Sequence, residues 1–359
     1  MKITRVRTHL VESPLRRTIE TSLGNVGPIR GLWLQITTDE GLTGTGWATE
    51  NPFFAGETQK GMESAITEVI APFLMERNPL DVTSLMEGIE RRLIFNYRVK
   101  SAVDMALHDL ISQSLNIPLY RYLGGLSRPH VASIRLIGVD SPARMVEEST
   151  ELHQQGIAHF KLKLEGNPQR DVERVRAVCS SLPAEVRVVL DPNQGYTPKE
   201  AIQVAEELRD CPHIAILEQP VAVQDLEGMA LVRRSIDWAV EADECVRNLH
   251  DAYRVIEHGA ADIISLKVSK MGGIYWVQKI ADFCEGAGVP CLIGADVASA
   301  VHDLAQLHVA LSHSNIRCFG CEIGESTRLV NDPATALEIR DGLLYPPQAS
   351  GLGYRLASG

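Results

Sequence analysis

The chain reads as an α/β protein: a barrel of seven or eight β/α units, preceded by an α+β segment and followed by a short tail. Three observations predict this. From Val131 onward, short apolar runs, each followed by a charged amphipathic stretch, recur at a spacing of about 25 to 28 residues. Before them, Ile3 to Val11 and Leu32 to Trp47 alternate polar and apolar residues with the period of half-buried strands. After about Asp332 the sequence turns Pro- and Gly-rich and carries no further unit.

In the first segment, residues 1–125, Asp39-Glu40-Gly41 supplies the turn between the two arms of a hairpin. Three helical patterns follow, the clearest from Lys100 through Leu115, and Gly124-Gly125 ends the segment. The apolar runs of the next segment, 126–331, begin near Ile134, Phe160, Val186, Ala215, Ala239, Ile263, Pro290 and Arg317. Together they predict a (β/α)7-8 modified TIM barrel, whose working groups sit at the C-terminal ends of the strands. Residues 332–359 are expected to fold back on the N-terminal domain and complete an α+β cap.

Length and composition narrow the class of function. With 359 residues, 45% of them hydrophobic, the chain can bury more than one core. Its net charge of −11, without a Lys/Arg block, lacks the electrostatic footprint of nucleic-acid or membrane binding, which leaves a small molecule as the expected partner. Met1 to Leu10 runs straight into a strand pattern, so no secretory leader is expected, and no apolar run approaches the roughly 20 residues of a membrane span. Seven cysteines, all from Cys179 onward, give no disulfide framework and suggest a reducing cytoplasm. Cys318 and Cys321 have no second pair for zinc and read as buried strand residues.

The predicted strand ends carry the charges. The third run ends in Asp191-Pro192-Asn193, the fourth in Glu218-Gln219-Pro220 and the fifth in Asp243-Glu244. One such acid is ordinary solvated loop chemistry; three in register on adjacent strands make a cluster that needs a cation, and oxygen-only ligation with room for water suits Mg²⁺. On the second strand, Lys161 and Lys163 flank Leu162, so both point to the barrel interior. The sixth run ends in Lys267, with Lys270 and Gly272-Gly273 beyond. Strands two and six stand opposite one another among eight, with the three carboxylates along the arc between them.

That layout suggests proton transfer at the α-carbon of a metal-bound carboxylate held between the lysines of strands two and six, with Lys161 beside Lys163. A lysine base must lose its proton, and the neighbouring cations with partial desolvation are expected to lower its pKa. The metal would stabilise the enediolate formed on proton loss.

The motifs Lys161-Leu162-Lys163, Asp191-Pro192-Asn193-Gln194-Gly195, Glu218-Gln219-Pro220, Ala242-Asp243-Glu244, Lys267 with Lys270-Met271-Gly272-Gly273, and Ala102 through Leu110 resemble the enolase superfamily, in particular its muconate lactonizing enzyme subgroup. The resemblance covers nearly the whole chain. It implies a cap closing over a modified TIM barrel, and Mg²⁺, with Mn²⁺ able to substitute, on Asp191, Glu218 and Asp243. It also implies Lys163 as one acid/base and Lys267 as the other, assisted by Lys161 and Asn193, with Glu244, Asp296 and Glu322 near the substrate. Loops near Ile19 to Gly27 and Pro52 to Gly56, with Phe53 and Phe54, would close over a small carboxylate substrate, and relatives commonly form homo-oligomers.

The chain also departs from the pattern. His302 lies beyond the seventh run, Gly294-Ala295-Asp296, where the mandelate racemase relatives carry a His–Asp dyad; here it reads as a structural residue of the following helix. Glu322-Ile323-Gly324 holds one acid where dipeptide epimerases carry two. The expected activity is racemisation or epimerisation of an amino-acid-like carboxylate, or a cycloisomerisation. A hydroxy-acid dehydratase and a non-catalytic relative are the alternatives.

Overall fold

The structure, a computed structural model, describes residues 1–356 apart from 23, 295 and 336. Leu23 of the first loop, Ala295 of the seventh run and residues 357–359 of the tail thus lie outside the described residues. Ile3–Ser13, Ile29–Thr38 and Thr43–Thr49 form a three-stranded antiparallel sheet with the middle element at its centre. A helix, Tyr97–Ser114, lies across this sheet with its residues from Arg98 to Ser112 buried. The approach is close because Gly44 and Gly46 have no side chain: a Cβ on them would stand 2.1 Å from the Ala106 carbonyl oxygen and 1.8 Å from that of Ala102. Leu32, Leu34, Ile36, Ile66, Leu74 and Leu85 fill the core of this cap.

Seven parallel strands follow in sequential order: β1 (Ile134–Ile137), β2 (His159–Lys163), β3 (Arg187–Asp191), β4 (Ile214–Glu218), β5 (Ala239–Ala242), β6 (Ile263–Leu266) and β7 (Cys291–Ile293). A helix separates each strand from the next, which is why all run the same way. Alternation then sorts their side chains. Phe160, Leu162, Val188, Leu190, Leu217, Val240, Ile264 and Leu266 join the large core beneath the helices. Ile134, Val189, Ile216, Ile263 and Leu292 form a separate small cluster inside the barrel. The inward positions above that cluster belong to Lys161, Lys163, Asp191, Glu218, Glu241, Asp243 and Lys267.

The eighth run, from near Arg317, forms no strand. The chain bridges β7 at Cys291↔Ile316 and the start of β1 at Ser133↔Cys321. Its closing bonds are Cys291 N–H to Asn315 O at 2.9 Å and Ile134 N–H to Cys321 O at 2.8 Å. Between the bridges Gly320 passes so near β1 that a Cβ would meet the Ala132 oxygen at 2.9 Å, which leaves no room for a pleated ladder. Cys321 is buried and Cys318 half-buried, in this bridging segment instead of a strand.

The tail returns to the cap. Leu352 N–H donates to Asp109 at 2.8 Å, Leu119 N–H to Gly351 O at 2.9 Å, and the Tyr354 ring stands edge-on to Trp33 at 5.7 Å. His308, on the helix after β7, accepts the Tyr120 N–H through Nδ1 at 3.0 Å and reaches the Leu352 carbonyl through Nε2 at 3.1 Å. Cap, barrel and tail therefore meet at one imidazole. No described helix is long and apolar enough to cross a membrane, and all seven cysteines are free.

Candidate active site

A pocket of about 380 Å³ opens at the C-terminal end of the strands, between barrel and cap. Lys163, Asn193, Asp243, Glu244, Lys267 and Asp296 reach it from the barrel, and Phe53, Phe54 and the hairpin strands Ile19–Thr21 and Gly24–Val26 border it from the cap side. That hairpin rests on the end of β1 through Val139 N–H to Glu20 O, 2.9 Å.

β2 positions the first two lysines as alternation requires. Lys161 is 1% exposed, and its ammonium group lies 2.7 Å from Glu218 Oε1, 2.9 Å from Glu322 Oε2 and 3.1 Å from Asp191 Oδ2. Lys163, one step nearer the mouth, donates to Asp191 Oδ2 at 2.5 Å and to Asn193 Oδ1 at 2.8 Å. Asn193 in turn donates through Nδ2 to Asp191 at 3.2 Å and to Glu244 at 3.1 Å. To aim inward it adopts a left-handed backbone, φ 44°, as do Gln194 at 70° and Gln219 at 34°. Three such residues straight after β3 and β4 are local strain of the kind that collects at working sites.

Across the pocket, Lys267 donates to Asp243 Oδ2 at 2.5 Å, and Lys270 to Asp243 Oδ1 at 2.6 Å and to the Ser265 carbonyl at 3.0 Å. Gly294 on β7 leaves space for Lys267, since a Cβ there would meet its Cε at 2.6 Å. Asp296 lines the pocket, but its oxygens are engaged: both terminal nitrogens of Arg98 lie 3.3 Å away, and the Ser269 hydroxyl donates to it. Phe53 is 86% exposed and Phe54 44%, so both stand at the lip. His302 is buried in the helix Ala300–Ser312, with neither ring nitrogen hydrogen-bonded, and burial lowers its pKa to about 4.

The electrostatics correct one expectation. The lysines were expected to lose proton affinity, yet Lys161 and Lys267 are both pushed well up: burial lowers each, but Glu218 and Glu322 around Lys161 and Asp243 beside Lys267 outweigh it. The acids divide. Burial raises Asp191 and Asp243, but Lys163 and Lys161 hold the first below the usual carboxylate range, and Lys267 and Lys270 the second. Burial and neighbouring acids drive Glu218 and Glu244 up, and Glu241 to about 8.

Six carboxyl groups (Asp191, Glu218, Glu241, Asp243, Glu244 and Glu322) thus face four ammonium groups (Lys161, Lys163, Lys267 and Lys270), two more acids than cations, and this crowding adds to the burial that drives Glu218, Glu241 and Glu244 toward the neutral form. Glu244 Oε2 and both Glu241 oxygens are buried without a hydrogen-bond partner. Among the described residues no three His, Cys, Asp or Glu side chains stand together as a metal cage, because ammonium groups take the oxygens of Asp191, Glu218 and Asp243. In donor chemistry and in its surplus of acids over ammonium groups, the cluster nevertheless fits one hard divalent cation.

Sequence reasoning named Lys270 without giving it a role, and missed Glu241, Ser269 and Arg98. Lys270 lies one helical turn after Lys267 and Glu241 shares the inward face of Asp243, so spacing could have placed both. Nothing local marks Arg98, whose partner Asp296 is 198 residues away.

A parallel barrel with opposed lysines and buried carboxylates at its strand ends, roofed by an α+β cap, is the frame of an enzyme. The chain belongs to the mandelate racemase/muconate lactonizing enzyme family of the enolase superfamily. The family's N-terminal domain model matches residues 3–124, and the enolase C-terminal domain-like model residues 144–358. A hydrophobic dipeptide epimerase of Enterococcus faecalis is 31% identical over 98% of this chain and 99% of its own length. An N-succinyl-L-Arg/Lys racemase of Bacillus cereus is 29% identical over 87% of this chain and 85% of its own. The solved dipeptide epimerase of E. faecalis, complexed with Mg and L-Leu-L-Tyr, superposes with a TM-score of 0.94 at 30% identity, covering 99% of each chain. Muconate cycloisomerases are also among its relatives. Racemases, epimerases and cycloisomerases are all isomerases, and the chain is an enzyme of that superfamily.

Proposed function

We propose that the protein is a Mg²⁺-dependent racemase or epimerase that moves the α-proton of an N-substituted amino-acid carboxylate. The observation that carries this is the placement of two lysines, Lys163 from β2 and Lys267 from β6, on opposite sides of one pocket, each against a different acid. Inversion needs one group to remove the proton and another to return it from the other face. Lys163 and Lys267 take those roles, and Lys161, fixed between Glu218 and Glu322, stays charged beneath them.

Asp191, Glu218 and Asp243 would hold Mg²⁺, with Mn²⁺ as substitute; when bound, the cation supplies positive charge where the enediolate's negative charge develops. When those carboxylates serve a cation, their hold on Lys163 and Lys267 weakens, and the upward push on Lys267 is relieved. Asn193 keeps Lys163 in place, and Phe53, Phe54 and the strands Ile19–Thr21 and Gly24–Val26 border the mouth of the pocket.

The substrate class follows from what the pocket offers. Ile19, Val26, Ile29, Phe54 and Val297 line it, and suit an apolar substituent. Glu322 is engaged by Lys161 and buried, and Gly324, at φ 119°, carries no side chain, so the segment Glu322-Ile323-Gly324 supplies no acidic pair for a free substrate ammonium. An N-acylated amino acid with an apolar side chain fits better than a dipeptide with a charged amine. The free cysteines agree with a reducing cytoplasm as the location.

The test is α-proton exchange in D₂O, followed by NMR with N-acyl amino acids of both hands. Exchange with inversion that stops in EDTA and returns with Mg²⁺ is expected. Loss of water from a hydroxy acid, without exchange in any amino-acid derivative, would instead make the protein a dehydratase.

A further inference from the structure

We propose that Arg98, acting through Asp296 and Ser269, is a positioning element for Lys267, so that the cap holds one of the two lysines in place and leaves the other to the barrel. The proposal rests on the two-lysine reading above for its functional meaning, but its geometry stands alone.

Lys267 is the last inward residue of β6, and the chain turns directly after it. The Lys267 carbonyl accepts the N–H groups of both Lys270 and Met271 at 3.1 Å, and the Val268 carbonyl that of Gly273 at 2.9 Å. This turn is fastened at three points. At Val268 the N–H donates to Gln306 Oε1 at 3.3 Å, while Gln306 Nε2 donates to Gly294 O at 3.3 Å, a fastening within the barrel. Ser269 donates its hydroxyl to Asp296, which both terminal nitrogens of Arg98 grip from the cap. At the far end, Asp104 accepts the Ile274 N–H at 2.5 Å, and Gly273, at φ 123°, passes so near that a Cβ would stand 2.4 Å from Asp104 Cβ.

Two of the three fastenings thus come from one cap helix, Tyr97–Ser114. Its start is fixed too, because Glu57, at the end of the loop bearing Phe53 and Phe54, accepts the N–H groups of Arg98 at 3.0 Å and Val99 at 3.2 Å. The Arg98 side chain is 6% exposed and that of Asp296 16%, so the pair is shielded from solvent and cannot be exchanged freely for water. Among the described residues Lys163 has no such link: its hydrogen-bond partners Asp191 and Asn193 are both barrel residues.

The test uses the whole protein in Mg²⁺ buffer. Trace acetylation with acetic anhydride is followed by peptide mass spectrometry, and the Lys267:Lys163 labelling ratio is compared across Arg98→Met, Asp296→Asn and Ser269→Ala. A loosened turn leaves Lys267 less firmly placed and more accessible to the reagent, so the ratio should rise several-fold in all three, and Ser269→Thr, which keeps the hydroxyl, should restore the wild-type ratio. An unchanged or lowered ratio in Ser269→Ala, the mildest variant, overturns the proposal. In D₂O the same variants should lose α-exchange for the enantiomer facing Lys267 by about tenfold or more while keeping it for the other, since misplacement of a reacting group by an ångström is that costly. Equal loss on both faces also overturns the proposal. If the wild-type protein exchanges no α-proton, the two-lysine reading fails while the labelling ratio still decides the positioning.

Discussion

The two sides of the pocket reach similar chemistry by different construction. On the Lys163 side everything is local to the barrel: β2 and β3 lie in register, Lys163 opposite Asp191, and Asn193 follows two residues later. On the Lys267 side the strand delivers the lysine, but the turn behind it is braced by Arg98 and Asp104 from the cap helix Tyr97–Ser114. Strand register is a short-range device and depends only on alternation. The second device needs the cap docked on the barrel, so it ties the turn behind one lysine to the cap.

The largest expected effect bears on what the sides share. Asp191→Asn, Glu218→Gln and Asp243→Asn each remove one charge without changing shape, and each should weaken Mg²⁺ binding by about 100-fold or more, with turnover lost. Calorimetric titration with Mg²⁺ checks this. Wild-type affinity in any one of the three would exclude that residue from the ligand set and leave the two sides without their common centre.

Asp303, on the helix behind the Lys267 side, should show next. Burial lifts its carboxyl to about 7 from an ordinary 3.8, against the Ser326 hydrogen bonds. Because the folded value is raised, its contribution is fully present below about pH 4 and is lost as pH rises to about 7, on the order of a few kcal/mol. Asp303→Asn should flatten that fall, as read from urea midpoints at pH 5 and pH 8. An unchanged slope would contradict the assignment.

Asp104→Ala should cost about 1–3 kcal/mol of stability, because it strands the buried N–H of Ile274. It sharpens the comparison if the remaining activity falls more on the Lys267 side. A thermal midpoint equal to wild type would show that the cap brace is not under load.

How much of this was legible follows the same division. Lys161, Lys163, Asp191, Glu218 and Asp243 were readable because period-2 alternation and strand ends are local signals. Arg98 was not, since a contact 198 residues apart leaves no periodic trace. The eighth strand misled because an apolar run around Cys318 and Cys321 looks like a strand even where only single bridges form. The lysine proton affinities misled for a different reason: sequence shows which cations are neighbours but not how closely the acids converge, and Glu218 with Glu322 around Lys161, and Asp243 beside Lys267, tilt the balance toward the charged form.

The central claim is that each lysine serves one face of the α-carbon. Lys163→Ala and Lys267→Ala, incubated with each enantiomer of an N-acyl amino acid in D₂O and followed by NMR, test it most directly. Racemisation should fall by about 10²- to 10⁴-fold in both, while each variant keeps α-exchange for one enantiomer only, and for opposite ones. If Lys267→Ala racemises at the wild-type rate, or if either variant exchanges both enantiomers, the two-face account is wrong.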